Sequence, residues 1–229
     1  MRNKVLVVVA HPDDEILGCG GTLINHIKNK DQVQVVFTSD SVFARKHVGK
    51  TSKKNTSAFR ESKAKKVSSM LGFKDPIFLN YPNLVLTRLD ILNLNNDLKK
   101  IIQKYLPNIV YTHFYNDLHH DHRATYEATL IACKAQYFLN VKKILSFEVP
   151  SATEQCLGSG NNIFNPNVFV DIKNSIQLKK KAMKIYKDEL LSYPNSRSEN
   201  GIENISQFRG NMVGLEYAES FELIREIQS

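Results

Sequence analysis

Residues 4–15 read KVLVVVAHPDDE, and the way this stretch is read decides the fold. Within it, Val5 to Ala10 form an apolar, Val-rich run with no polar alternation. That is the pattern of a strand buried on both faces, as in a parallel sheet. The run is strand-sized and far short of the ~20 residues that span a bilayer. Arg2 and Lys4 precede it as basic residues precede a secretory apolar segment, yet it ends in His-Pro-Asp-Asp-Glu with no small-residue cleavage site. The expectation is a cytoplasmic protein with no transmembrane segment.

Working outward, residues 14–29 carry Ile16, Leu17, Leu23, Ile24 and Ile27 on a helical period. Further strands are expected at 33–38, 76–80, 109–113, 144–148 and 168–172. Helices are expected over 57–71, closed by Gly72, over 89–105, stopped by Pro107, and over 123–138 and 175–190. A basic polar loop at about 40–56 and a polar loop at about 193–207 are expected near the site. Residues 214–227 read as a turn and short helix. Strands alternating with helices of this length mean βαβ units: an α/β fold, doubly wound, with a mostly parallel sheet and helices on both faces. No linker, composition break or internal repeat divides the chain, so one domain is expected over residues 1–229.

The composition of the 229 residues, 42% hydrophobic with 12 Phe and 9 Tyr, excludes a disordered chain. Three cysteines, Cys19, Cys133 and Cys156, match no zinc-knuckle or redox spacing and read as core residues in a reducing compartment. The net charge of +8 is uneven, because residues 45–66 hold nine Lys or Arg against Glu61 alone. The segment has few aromatics and matches no nucleic-acid module, so no nucleic-acid partner is expected. A solvated basic face, or a rim attracting an anionic small substrate, fits better. Exposed apolar helix faces would allow a homo-oligomer.

Two segments carry chemistry, each just after an expected strand. The first is His11-Pro12-Asp13-Asp14-Glu15. The second is Asn116-Asp117-Leu118-His119-His120-Asp121-His122, and of the seven His in the chain, His113, His119, His120 and His122 fall within ten residues. Imidazoles and carboxylates gathered at strand ends are the pattern of a divalent metal site. With a helix starting near Pro12, His11 and Asp14 can converge on one point, while Asp13 must point elsewhere, beside the metal, where a general base belongs. A third ligand from the second segment would complete a His₂Asp set with positions open for water and substrate. Gly18, Gly20 and Gly21 lie inside the expected helix rather than at its start, so they read as close packing, not as a nucleotide fingerprint. No P-loop and no Gly-x-Ser-x-Gly elbow is present.

These segments, the continuation to Gly21-Thr22-Leu23 and the run His122-Arg123-Ala124-Thr125 resemble the PIG-L / LmbE-like family of zinc-dependent N-acetylglucosaminyl deacetylases. Weaker matches follow in family order: Arg60-Glu61, Phe164-Asn165-Pro166-Asn167, Lys181-Ala182 with Tyr186, and Arg209-Gly210 through Phe221. The resemblance implies a Rossmann-like fold and Zn²⁺, with Fe²⁺ or Co²⁺ also accepted by such donors. It implies His11, Asp14 and His122 as ligands and Asp13 as general base. His119 would be the protonated group facing the oxyanion or leaving amine, Asp121 would orient a histidine, and Arg60 would contact substrate. The substrate would be a small N-acetylated sugar or conjugate. Two departures stand out: His120 replaces a frequent Pro, and Tyr186-Lys187-Asp188-Glu189 replaces Tyr-x-Ser-Gln. A metal hydrolase acting on another amide or a phosphate ester, and a non-catalytic carbohydrate-binding module, are the alternatives.

Overall fold

The computed structural model describes residues 2–40, 56–83, 88–156 and 162–228; the basic loop expected at 40–56 lies almost wholly outside the described residues. The chain runs β1 (Lys4–Val9), α1 (Asp14–Lys28), β2 (Gln32–Ser39), α2 (Ser57–Leu71), β3 (Ile77–Tyr81), α3 (Arg88–Tyr105), β4 (Ile109–His113), α4 (His120–Ala132), β5 (Lys143–Phe147), β6 (Val168–Asp171), α5 (Ile176–Met183), α6 (Glu199–Asn211) and β7 (Ala218–Glu226). The seven strands form one sheet in the order β3-β2-β1-β4-β5-β7-β6. β1 to β5 pair in parallel, and β7 is antiparallel to both its neighbours. This is the expected α/β fold.

β1 explains why its sequence shows no alternation. Val5, Val7 and Val9 face one core with α1, α2, α5 and α6, while Leu6 and Val8 face the other with α3 and α4. Both faces are covered, so both sets of side chains are apolar. The strand order reverses at β1, with β2 on one side and β4 on the other. Ligands of such sheets bind beyond the strand carboxyl ends at that reversal.

The end of the chain departs from expectation. Residues 218–226 are a strand, not a turn and short helix. Glu222, Leu223, Arg225 and Glu226 belong to residue types that favour helices in isolation. Hydrogen bonding to β5 on one side and β6 on the other overrides that preference. A register shift opposite Ile144 and Leu145 further blurs the two-residue period. In the stretch 193–207, the part from Glu199 onward is helical, with Ser198 capping it by accepting from the Gly201 amide at 2.9 Å.

The glycines of α1 are packing residues, as expected. A β-carbon at Gly18 would come within 2.1 Å of the Phe147 ring, and one at Gly21 within 2.7 Å of Ile172. Helix α1 is kinked at Cys19, and the Gly21 and Thr22 amides beyond the kink donate to the buried Glu219 carboxylate at 2.8 and 2.7 Å. Lys179 Nζ neutralises that carboxylate at 2.7 Å and donates to Leu17 O at 3.0 Å, so the buried pair is satisfied. Gly18→Ala should therefore destabilise the fold by about 1–3 kcal/mol, read as a fall in the urea midpoint with an unchanged slope.

Candidate metal centre

The turn at 11–13 joins β1 to α1. The Ile16 and Leu17 amides donate to Asp13 O at 3.0 and 2.9 Å, and the Asp14 amide donates to His11 O at 3.2 Å. Asp13 holds φ at 129°, a strained region for a residue with a side chain. Both aspartates are buried, but Asp14 faces the histidines whereas Asp13 faces the guanidinium groups of Arg197 and Arg60. One oxygen of Asp14, Oδ2, accepts from the His11 amide at 2.8 Å. The same oxygen lies 3.3 Å from His11 Nδ1, 3.4 Å from His122 Nε2 and 3.6 Å from His113 Nε2.

The second segment arrives from β4. His113 ends that strand and is fully buried; its Nε2 accepts from the Ala10 amide at 2.9 Å, tying the end of β4 to the end of β1. His119 caps α4, with its Nδ1 accepting from the Asp121 amide at 3.2 Å. The His113 and His122 rings stack at 4.0 Å, and His119 lies 4.7 Å from both His11 and His122. His120 is exposed on the first turn of α4 and enters none of these stacks. Two overlapping groups of atoms among the described residues lie close enough to share a cation: His11, His119 and His122, and Asp14, His113 and His122. The expected trio His11, Asp14 and His122 is spread across both groups, linked through Asp14 Oδ2.

Carboxylates back the imidazoles. Asp121 Oδ2 lies 3.0 Å from His11 Nε2. Asp117, a residue that sequence reasoning left without a role, lies with Oδ1 3.1 Å from His122 Nδ1. It also accepts from the His119 amide at 2.8 Å and from Thr153 Oγ1 at 2.6 Å. Asn83, also missed, donates to Asp121 Oδ2 at 2.8 Å from the loop after β3. The only signal for Asp117 was its place in the acidic, His-rich turn; Asn83 gave none.

Charge follows from this arrangement. Burial pushes Asp14 up, but His122, His11 and His113 pull harder, and its carboxyl stays well below the usual range. Burial pushes His122 down, but the Asp14 and Asp117 carboxylates lift it to about 10. Burial, with His11 and His122 beside it, brings His119 down to about 4. That direction favours the neutral imidazole, where the resemblance implies a protonated one. Because its Nδ1 accepts a backbone N–H, its own proton sits on Nε2 and remains a donor. Burial lifts Asp13 to about 6, against the pull of Arg197 and Arg60.

Arg60 reaches the site from beneath. Its guanidinium is ion-paired with Glu189, donates to Pro12 O at 3.1 Å, and lies 3.8 Å from Asp13 Oδ1. Those contacts tie Arg60 to the turn at 11–13. Lys63 pairs with Asp188 in the same layer, so the departure at Asp188 and Glu189 is matched by two inward-turned cations of α2. Arg197, unforeseen but lying in the expected site loop, pairs with Asp13 Oδ2.

Fold and cluster together define an α/β protein with a buried His/Asp cluster, a candidate metal-binding group, at the topological switch point. The family model of PIG-L, GlcNAc-PI de-N-acetylase, matches residues 6–133, more than half of the chain, including both histidine–aspartate segments. The chain belongs to the PIG-L family. An uncharacterised deacetylase of Escherichia coli K12, YaiS, is 27% identical over 194 residues, covering 81% of this chain and 91% of that protein. The N,N'-diacetylchitobiose deacetylase of Pyrococcus horikoshii superposes with a TM-score of 0.74 at 23% identity, covering 97% of this chain and 84% of that one. A 4-carboxy-2-hydroxymuconate hydratase of Pseudomonas putida also reaches 0.74, at 20% identity over 100% of this chain and 98% of that one. The same backbone therefore serves two chemistries, and function must be argued from the family and the site. No helix among the described residues is long and apolar enough to cross a membrane.

A cation taken up at His122 Nε2 must displace a proton held with a pKa of about 10. With His11 raised as well, the apparent affinity for Zn²⁺ should thus weaken by at least about tenfold per unit as pH falls from 8 to 6, measurable by competition with a buffered chelator.

Proposed function

We propose that the protein is a zinc-dependent hydrolase that removes the acetyl group from an N-acetylamino sugar or an N-acetylglucosaminyl conjugate. The observation that carries this reading is the spacing around Asp14 Oδ2: 3.3 Å to His11 Nδ1 and 3.4 Å to His122 Nε2. Ligands about 2.0–2.2 Å from a tetrahedral Zn²⁺ lie about 3.3–3.5 Å from one another. The protonation pattern agrees. Ligation through His11 Nδ1 leaves its proton on Nε2, facing Asp121, and ligation through His122 Nε2 leaves its proton on Nδ1, facing Asp117. His113 Nε2 is already taken by the Ala10 amide, which argues against it as a ligand. The same donors would accept Fe²⁺ or Co²⁺.

Bound there, the cation supplies Lewis acidity and a water acidified toward neutrality. Asp13 accepts the proton of the attacking water, and its carboxylate, titrating near 6, is ionised at pH 7 yet still basic. His119 Nε2–H donates to the acetyl oxygen as negative charge grows on it. The C–N bond breaks, Asp13 returns the proton to the departing nitrogen, and acetate and a free amine leave. Asp121 and Asp117 keep His11 and His122 in the required tautomers.

The test is acetate release from a panel of N-acetylated sugars and sugar conjugates. Chelation should abolish turnover, and added Zn²⁺ should restore it. Asp13→Asn should lower kcat by roughly 10²–10⁴-fold while the protein still binds one metal equivalent, measured by elemental analysis. Asp14→Ala or His122→Ala should lose the metal itself. Phosphate release without acetate, from a panel that includes phosphate esters, would refute the deacetylase reading.

A further inference from the structure

Arg197 stands outside the machinery described so far, and its surroundings are built with care. It lies on the strap of residues 191–198 between the helical turn at Lys184–Tyr186 and α6. The strap is folded on itself: Asn195 Oδ1 accepts from the Arg197 amide at 2.9 Å, and the Ser198 amide donates to Asn195 O at 2.9 Å. Ser196 Oγ anchors it to Glu154 Oε1 on the loop after β5, at 2.5 Å. Gly201 permits its close approach to α6, because a β-carbon there would meet Ser196 O at 2.5 Å and Asn195 O at 2.7 Å. The guanidinium then reaches Asp13, whose side chain is 1% exposed.

Asp13 needs such a partner. Its backbone is strained though tied locally, the amide donating to Glu15 Oε2 at 2.9 Å and the carbonyl accepting from the Ile16 and Leu17 amides, whereas its carboxylate has no partner in that turn other than the guanidinium groups that reach it. The two arginines near its carboxylate differ. Arg60 is pinned to Glu189 and Pro12 O and stays 3.8 Å from Oδ1, beyond hydrogen-bond reach. Arg197 engages Oδ2 and is the more open of the two, with its side chain 22% exposed against 7%. Oδ2 is thus committed to Arg197, while Oδ1 carries only the longer Arg60 ion pair at 3.8 Å and accepts no hydrogen bond from it.

We propose that Arg197 is the positioning residue of the general base: held by the strap, it fixes Asp13 Oδ2 so that Oδ1 faces the attacking water. The inference rests on the deacetylase reading for its kinetic consequence, but not for the contact itself.

The experiment uses the metal-loaded protein, N-acetylglucosamine as probe, and the variants Arg197→Met, Arg197→Lys, Asp13→Asn, the Arg197→Met/Asp13→Asn double and Gly201→Ala. Arg197→Met should lower kcat on the order of 10- to 100-fold with KM changed by less than about 2-fold. Arg197→Lys should recover part of the loss, and the double variant should be no slower than Asp13→Asn alone. Gly201→Ala, which displaces the strap with both charges in place, should lower kcat in the same way; if it fails to fold, Arg197→Lys carries the comparison. A raised KM with kcat unchanged would overturn the proposal in favour of a substrate contact, and multiplicative losses in the double variant would overturn it outright. Urea unfolding of the same set reads the contact without activity: Arg197→Met should lower the midpoint in the wild-type background and not in Asp13→Asn. Additive midpoint losses would overturn the pairing, whereas a wild type that releases no acetate from any N-acetylated sugar would overturn the proposed function alone.

Discussion

A single buried oxygen, Asp14 Oδ2, organises the functional end of this molecule. It gathers the His11 amide, His11 Nδ1, His122 Nε2 and His113 Nε2 within 3.6 Å. A carboxylate taken out of water costs several kcal/mol unless it is hydrogen-bonded and matched by positive charge. Here the matching groups come from the turn after β1 and the first turn of α4, while the end of β4 lines the oxygen with His113, whose Nε2 accepts from the Ala10 amide. Those three segments must therefore meet at one point, and the parallel register of β1 on β4, with Val5, Leu6 and Val7 beside Ile109, Val110 and Tyr111, brings them there.

The packing beneath the site works in the same direction. The absent side chain at Gly18 is what lets α1 lie against Phe147. The Phe147 ring meets His113 at 5.2 Å, and His113 stacks on His122 at 4.0 Å. The position of helix α1 is thus passed through two buried rings to the imidazole that faces Asp14. The Cys19 kink, with Glu219 receiving the freed amides and Lys179 neutralising Glu219, holds the far half of that helix against the sheet. A dense interior transmits such displacements instead of absorbing them.

What could be read from the sequence follows from which interactions are local. The β1 run, the alternation of strands and helices, and the His11-to-Asp14 spacing all depend on neighbours in the chain, and all match the structure. Strand β7 was misread because its partners, β5 and β6, are supplied by the tertiary fold, while its own residue types favour a helix. Asn83, Asp117 and Arg197 act across 38, 5 and 184 positions respectively. Of these, Asp117 alone lay within a segment already marked by its composition. Arg60 was found but its partners were not: Glu189 and the Pro12 carbonyl explain why its guanidinium faces inward, and no spacing in the chain announces them.

The two adjacent aspartates show how one backbone turn separates two chemistries. Asp14 and Asp13 are both buried, so desolvation pushes both carboxyls up. Asp14 is surrounded by imidazoles close enough to bond, and they outweigh burial and hold it ionised. Asp13 meets guanidinium groups whose pull only partly offsets burial, so it settles near 6. The left-handed backbone at Asp13 is what points the two side chains into these different surroundings. A regular helical start would send consecutive side chains only about 100° apart around one axis. The strain at Asp13 is therefore the structural condition under which one carboxylate meets imidazoles while its neighbour meets guanidinium groups.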